Sequence, residues 1–205
     1  MTQGALRGTA LVLASGSPRR HALLAELGLD FRVEVPDVDE TALAAEAPPA
    51  YVARVAEAKA RTVRVQGPTV VIAADTTVDL DGTPLGKPSS PQEARALLGQ
   101  LSGRTHLVHT GVAVALLGEP DIDVELEVEV CTTAVTFCAL SPAWMDWYVG
   151  TDEPYDKAGG YAVQGAAGAF VARVDGSPTN VVGLPLDVVA RLVERVGHDL
   201  LAFRA

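Results

Sequence analysis

Arg19 and Arg20 stand in the segment LVLASGSPRR (residues 11–20), which reads as an apolar strand, a Ser-Gly turn and the opening of a helix. Ser17 suits the N-cap, and Pro18, with its fixed φ and missing N–H, suits the first helical position. Ala22, Leu23, Leu24 and Leu27 then supply an apolar face, and Gly28 is set to end the helix in a left-handed cap. Two cations at the positive end of a helix dipole are unfavourable unless an anion joins them. Free N–H groups, small residues and two guanidinium forks together describe a phosphate site. Taken alone, the same residues serve equally as an ordinary strand, turn and helix with solvated arginines.

Carboxylates and lysines at other strand and helix ends extend the chemistry. Thr69–Ala74, TVVIAA, is a continuous apolar run of the kind covered on both faces, and it is expected to end at Asp75 and Thr76. Ligands of open α/β sheets collect beyond such strand ends, although aspartate is also a frequent turn former there. A strand over Phe31–Glu40 is expected to end in the acidic cluster Asp37, Asp39 and Glu40. Pro48 and Pro49 introduce a helix to about Val65 that carries Lys59 on the same face as Tyr51, Val52, Val55 and Ala56. Judged by itself, Lys59 is a snorkelling lysine at the edge of that face. Lys87 follows a hairpin, VDLDGTPLG, with Asp81 and Gly82 at its turn.

The remaining elements read as scaffold. Ser90 and Glu93 form a capping box for a helix to about Leu101. Residues 105–117 and 124–138 alternate as an antiparallel hairpin, with Glu125, Glu127 and Glu129 on a wet face and Val124, Leu126, Val128 and Val130 opposite. His106 and His109 lie on opposite sides of their strand and are read as structural. Ser141 and Pro142 start a helix whose Trp144, Met145, Trp147 and Tyr148 belong to the core or to a subunit contact. Asp152–Gly165, DEPYDKAGGYAVQG, is either a ligand-contacting segment or a long surface loop. A strand over Phe170–Val174, a turn at Asp175–Ser177 and a helix over Asp187–Phe203 close the chain.

Composition narrows the classes. The chain has 205 residues and 48% hydrophobic content, enough for one domain of two packed lobes spanning 1–205. The net charge of −10 repels nucleic acid polymers and anionic membrane surfaces, so a phosphate ligand must be held by local cations and metal. Cys131 and Cys138 suit neither a disulfide framework nor a zinc site, which fits a reducing cytoplasm. Arg7 before TALVLAS resembles the start of a signal peptide, but the apolar stretch continues as amphipathic helix, so a soluble protein is expected.

Six blocks in order over about 175 residues, LASGSPRR, AADT, GKP, HTGVAV, EPYDKAGGYAVQG and NVVGLPL, resemble the Maf family of nucleotide pyrophosphatases. The resemblance implies an α/β fold similar to the inosine triphosphate pyrophosphatases: a twisted mixed sheet flanked by helices, with two lobes and a central cleft. It implies hydrolysis of dTTP and UTP, and of modified pyrimidine nucleotides, to the nucleoside monophosphate and pyrophosphate. In this pattern Asp75 is the catalytic base, with a second role as metal ligand. A divalent Mg²⁺ or Mn²⁺ is expected because oxygen ligands suit it and a chain of charge −10 does not welcome a triphosphate unaided, with Glu40 as the second carboxylate ahead of Asp37 and Asp39. Ser15, Arg19, Arg20, Lys59 and Lys87 match positions that hold the triphosphate, while Thr76 and Gln164 match specificity positions of the pyrimidine class. Arg20 argues against the 7-methyl-GTP class, which differs there. A Gln amide offers a donor and an acceptor together, the complement of a uracil edge. Asp156 and Lys157 correspond more weakly to cleft positions. Thr77 and the acidic LGEPDIDVELEV stretch depart from the pattern. Family members are often homodimers, and some are described as inhibitors of septum formation, which offers the alternative of a nucleotide-binding regulator without essential hydrolysis.

Overall fold

The computed structural model describes residues 8–118 and 125–205; Arg7 and residues 119–124 of the acidic hairpin lie outside them. Seven strands form one mixed sheet in the order β2-β1-β3-β5-β6-β7, with β4 paired to β3. These are β1 (Ala10–Ala14), β2 (Arg32–Glu34), β3 (Thr69–Leu80), β4 (Thr83–Leu85), β5 (Thr105–Leu117), β6 (Glu125–Phe137) and β7 (Val171–Asp175). β1 runs parallel to β2 and β3, and the other pairings are antiparallel. The helices are α1 (Pro18–Glu26), α2 (Pro48–Thr62), α3 (Pro91–Leu101), α4 (Pro142–Val149), α5 (Pro178–Val182) and α6 (Leu186–Arg195).

Side-chain alternation on the long strands separates three cores. Val70, Ile72, Val112 and Val114 meet α1 and α6 on one face, whereas Val71, Ala73, Ala113 and Ala115 meet α2 on the other. Further along β3, β5 and β6, Val78, Val108, Val135 and Phe137 pack with Leu98, Leu101, Tyr148 and Phe170 around α3 and α4. The long strands β3 and β5 therefore contribute to all three clusters.

Two expectations about β3 and β2 need correction. β3 does not stop at Asp75: its antiparallel ladder with β5 continues to Asp79, so the aspartate sits in mid-strand opposite Gly111. The parallel ladder with β1, however, ends at Ala73. Between Ala73 and Val78, where β4 takes up the pairing, the β1 side of β3 lacks a strand neighbour, and a crevice forms beside Asp75 for this reason. β2 covers only Arg32–Glu34; Val35–Glu40 leaves the sheet because β1 has no residues left to pair with it.

Smaller departures follow from local chemistry. The C-terminal helix ends at Arg195, because Gly197 at φ +81° breaks it, and Leu200–Phe203 forms a separate 3₁₀ turn. The wet face of β6 is roofed by α6, where Arg191 bonds Glu129 at 2.5 Å and Arg195 meets Glu127 and Glu129 at 3.5 Å. On α4 Tyr148 and Val149 are buried and Met145 packs against the same core, whereas Trp144 and Trp147 stay about half exposed, at 49% and 50%. His106 bonds the Tyr161 hydroxyl at 2.7 Å and His109 bonds Thr132 and Asp79, from opposite faces of β5 as expected. Burial holds His106 down to about 4, so it is neutral at physiological pH.

Candidate active site

A cavity of about 710 Å³ opens at the end of β1. Ser15, Arg19, Arg20, Glu40, Lys59, Asp75, Thr76, Lys87 and Gln164, scattered over 150 positions of sequence, all line it, as do Asp156 and Lys157. Asp37 and Asp39 do not line it; Asp39 instead accepts a hydrogen bond from the Thr41 N–H at 2.9 Å.

Packing of α2 decides where Lys59 goes. Gly111 lets this helix lie flush on β5, since a Cβ there would fall 2.3 Å from the Val52 carbonyl oxygen. Val52 and Val55 are fully buried, each contributing about 1.5–3 kcal/mol, which offsets the desolvation of a lysine on the same face. Lys59 does not snorkel. Its side chain leans back along the helix to place Nζ 2.8 Å from Asp75 Oδ1 and 2.7 Å from Glu40 Oε1. Asp75 is itself buried, and that desolvation raises its pKa above 3.8; Lys59 and Arg20 oppose the rise, while Glu40 adds to it. The carboxylate is thus held where it binds a proton more readily than an exposed aspartate does.

The loop bearing Glu40 is anchored by groups that the sequence did not single out for this purpose. Tyr51 donates to the Glu40 carbonyl at 3.0 Å, and Arg54 donates to both carboxylate oxygens of Glu46, at 2.6 and 2.7 Å, and to the Thr41 carbonyl. The Glu46–Arg54 spacing of eight crosses a helix start, so no local periodicity marks it.

The neighbouring arginines play unlike parts. Arg20 is buried and already donates four hydrogen bonds: to the Gly183 carbonyl (2.7 Å), the Ala74 carbonyl (2.8 Å), Thr76 Oγ1 (3.0 Å) and Ser15 Oγ (3.1 Å). It ties the end of β1, the unpaired side of β3 and the α5–α6 junction into one corner. Gly183, at φ +120°, presents its carbonyl from the NVVGLPL segment, and α5 is fixed in turn by Asn180, which donates to Val108 and Thr133. Arg19 is about one-third exposed and, among the described residues, meets only Asp156, at 3.5 Å. Lys87 and Gln164 are exposed on the cavity wall and bond to no described residue.

The α1 N-terminus differs from the expectation in one respect. Ser17 occupies the N-cap position, but its hydroxyl makes no capping bond; Ser15 Oγ instead accepts from the Ser17 N–H at 3.2 Å. No acidic side chain stands in the first turn. Unpaired helix N–H groups therefore face the cavity beside Arg19, an arrangement suited to an anion.

Among the described residues, no cluster of three or more His, Cys, Asp or Glu side chains forms a complete metal cage, and no helix is long and apolar enough to cross a membrane. Both cysteines are free.

Comparison with known proteins agrees with the resemblance seen in the sequence. A Myxococcus xanthus protein named dTTP/UTP pyrophosphatase is 53% identical over 94% of this chain and 95% of its own length. An Anaeromyxobacter dehalogenans protein of the same name is 52% identical over 93% and 95%. The Staphylococcus aureus Ham1 protein overlays 91% of this chain and 99% of its own at 18% identity, with a TM-score of 0.46. The Maf-like protein family matches residues 10–196, and the chain belongs to that family.

Proposed function

We propose that the chain hydrolyses dTTP and UTP to the nucleoside monophosphate and pyrophosphate. The observation that carries this reading is the juxtaposition of Asp75 and Glu40 on Lys59 with the open helix N-terminus, Lys87 and the loosely paired Arg19 in a single cleft. The names of the relatives support the same substrates.

Cleavage of the α–β anhydride needs a base for water, charge neutralisation on the phosphoryl oxygens and a stabilised leaving group. Asp75 accepts the proton of a water aimed at the α-phosphorus. Lys59 favours the ionised form of that carboxylate against its burial and orients it. The α1 amides, Ser15, Arg19 and Lys87 hold the phosphate chain, Arg20 fixes the corner that presents them, and Gln164 with Thr76 selects the base. Two carboxylate oxygens that already share one ammonium suit a hard divalent ion such as Mg²⁺ or Mn²⁺, with substrate phosphates completing its shell. Asp75 and Glu40 would hold it, and when bound it supplies positive charge to the reacting phosphate.

Purified protein incubated with a panel of nucleoside triphosphates and Mg²⁺ or Mn²⁺, with products separated by chromatography, tests the proposal. UMP or dTMP together with pyrophosphate is expected. Binding without turnover in either metal would favour the regulator, and preference for 7-methyl-GTP would reassign the base.

A further inference from the structure

Glu153, in the 3₁₀ turn after α4, holds a partly buried carboxylate that plays no part in the reaction just described. Its Oε2 accepts from the Ala166 N–H at 2.8 Å, and its Oε1 accepts from the Ala167 N–H at 3.2 Å and from the Tyr148 hydroxyl at 3.0 Å. Gly165 is wedged against this group, since a Cβ there would fall 2.3 Å from Oε2. Glu153 is itself fixed, its N–H donating to Thr151 Oγ1 and its carbonyl accepting from Lys157 Nζ at 2.7 Å. Tyr148, the third donor, is fully buried in the cluster around α3 and α4.

The gripped backbone directly follows Gln164, and the Gly165 N–H bonds the Ala162 carbonyl at 3.0 Å to close the turn that carries it. Gln164 itself projects along the cavity wall without a described hydrogen-bond partner. A freely moving amide satisfies uracil in one orientation and cytosine in the other, because the two bases exchange a donor for an acceptor on that edge. The amide turns over about its own terminal torsion at little cost, so discrimination depends on the reach and angle at which the backbone presents it to the base.

We propose that Glu153 is a positioning residue that sets base selectivity by clamping the turn bearing Gln164. The inference rests on the reading that Gln164 meets the base of a pyrimidine triphosphate. Glu153→Gln replaces one of the two acceptor oxygens by a donor and leaves one N–H facing another. kcat and KM for UTP and CTP are measured for the parent, Glu153→Gln, Gln164→Ala and the double variant. The UTP-over-CTP ratio of kcat/KM should fall about 10-fold in Glu153→Gln, chiefly through KM for UTP, and the double variant should discriminate no worse than Gln164→Ala alone. Gly165→Ala keeps the carboxylate but pushes the turn off it, and should give the same signature if Glu153→Gln is recovered in low yield. A ratio within about twofold of the parent, an equal loss for both nucleotides through kcat, or additive effects in the double variant would overturn the assignment. A parent that cleaves no pyrimidine triphosphate would overturn the underlying reading and this assignment with it.

Discussion

Arg19 and Arg20 are adjacent in sequence and should respond to alanine substitution in opposite ways. Arg20 donates four hydrogen bonds from a buried position, two of them to the carbonyls of Ala74 and Gly183. Leaving a buried acceptor unpaired costs about 1–3 kcal/mol, and a bond to a charged group contributes about 1.5–3 kcal/mol net. Water from the adjoining cavity recovers part of the loss, so Arg20→Ala should destabilise by about 3–5 kcal/mol. For a chain of this size that lowers Tm by roughly 6–20 °C. Arg19 holds one 3.5 Å contact to Asp156, whose side chain is 65% exposed, and such pairs contribute about 0–1 kcal/mol. Arg19→Ala should therefore melt within roughly 3 °C of the parent while losing about 10–100-fold in kcat/KM for UTP, the value of a charge-assisted phosphate contact. Thermal unfolding followed by circular dichroism, paired with initial-rate kinetics, reads both quantities. Equal melting temperatures for the two variants, or an Arg19 variant that is the less stable, would refute this division of labour.

Asp75→Asn should lose at least ~10²-fold in turnover, yet melt no lower than the parent at pH 7. Folding raises this carboxyl above its ordinary 3.8, so the stability associated with its neutral form is present below that value and lost as pH rises through the folded pKa; a neutral isostere escapes the loss. Lys59→Met removes the strongest influence favouring the ionised carboxylate, and the acid limb of the kcat/KM profile should move to higher pH; an unmoved limb would separate Lys59 from Asp75. Gly111→Ala drives a methyl into the Val52 carbonyl and lifts α2, so differential scanning calorimetry should show a loss of at least about 1–3 kcal/mol together with reduced activity.

Much of this arrangement was legible because local rules and global fold agree. Ser90 accepts from the Glu93 N–H as the capping box requires, and the Asp81-Gly82 turn, with φ of +54° and +80°, joins β3 to β4. The crevice at Asp75 was expected on the wrong grounds. A strand end was inferred from a change of polarity, whereas the strand continues and its neighbour β1 ends instead. Pairing partners are non-local and leave no mark on the strand itself. Lys59 was ambiguous for a similar reason: periodicity gives its face, but only the depth to which α2 sinks at Gly111 separates a buried ion pair from a solvated amine. Arg20 as a brace was illegible because two of its four acceptors are main-chain carbonyls 54 and 163 residues away. Glu153 likewise grips backbone N–H groups, which carry no residue identity to read.

Hydrolysis of UTP in ¹⁸O-labelled water tests most directly whether this cleft aims water at the α-phosphorus. Mass spectrometry should find one ¹⁸O atom in UMP and none in the released pyrophosphate. Label in pyrophosphate, or release of labelled orthophosphate with UDP, would contradict the account.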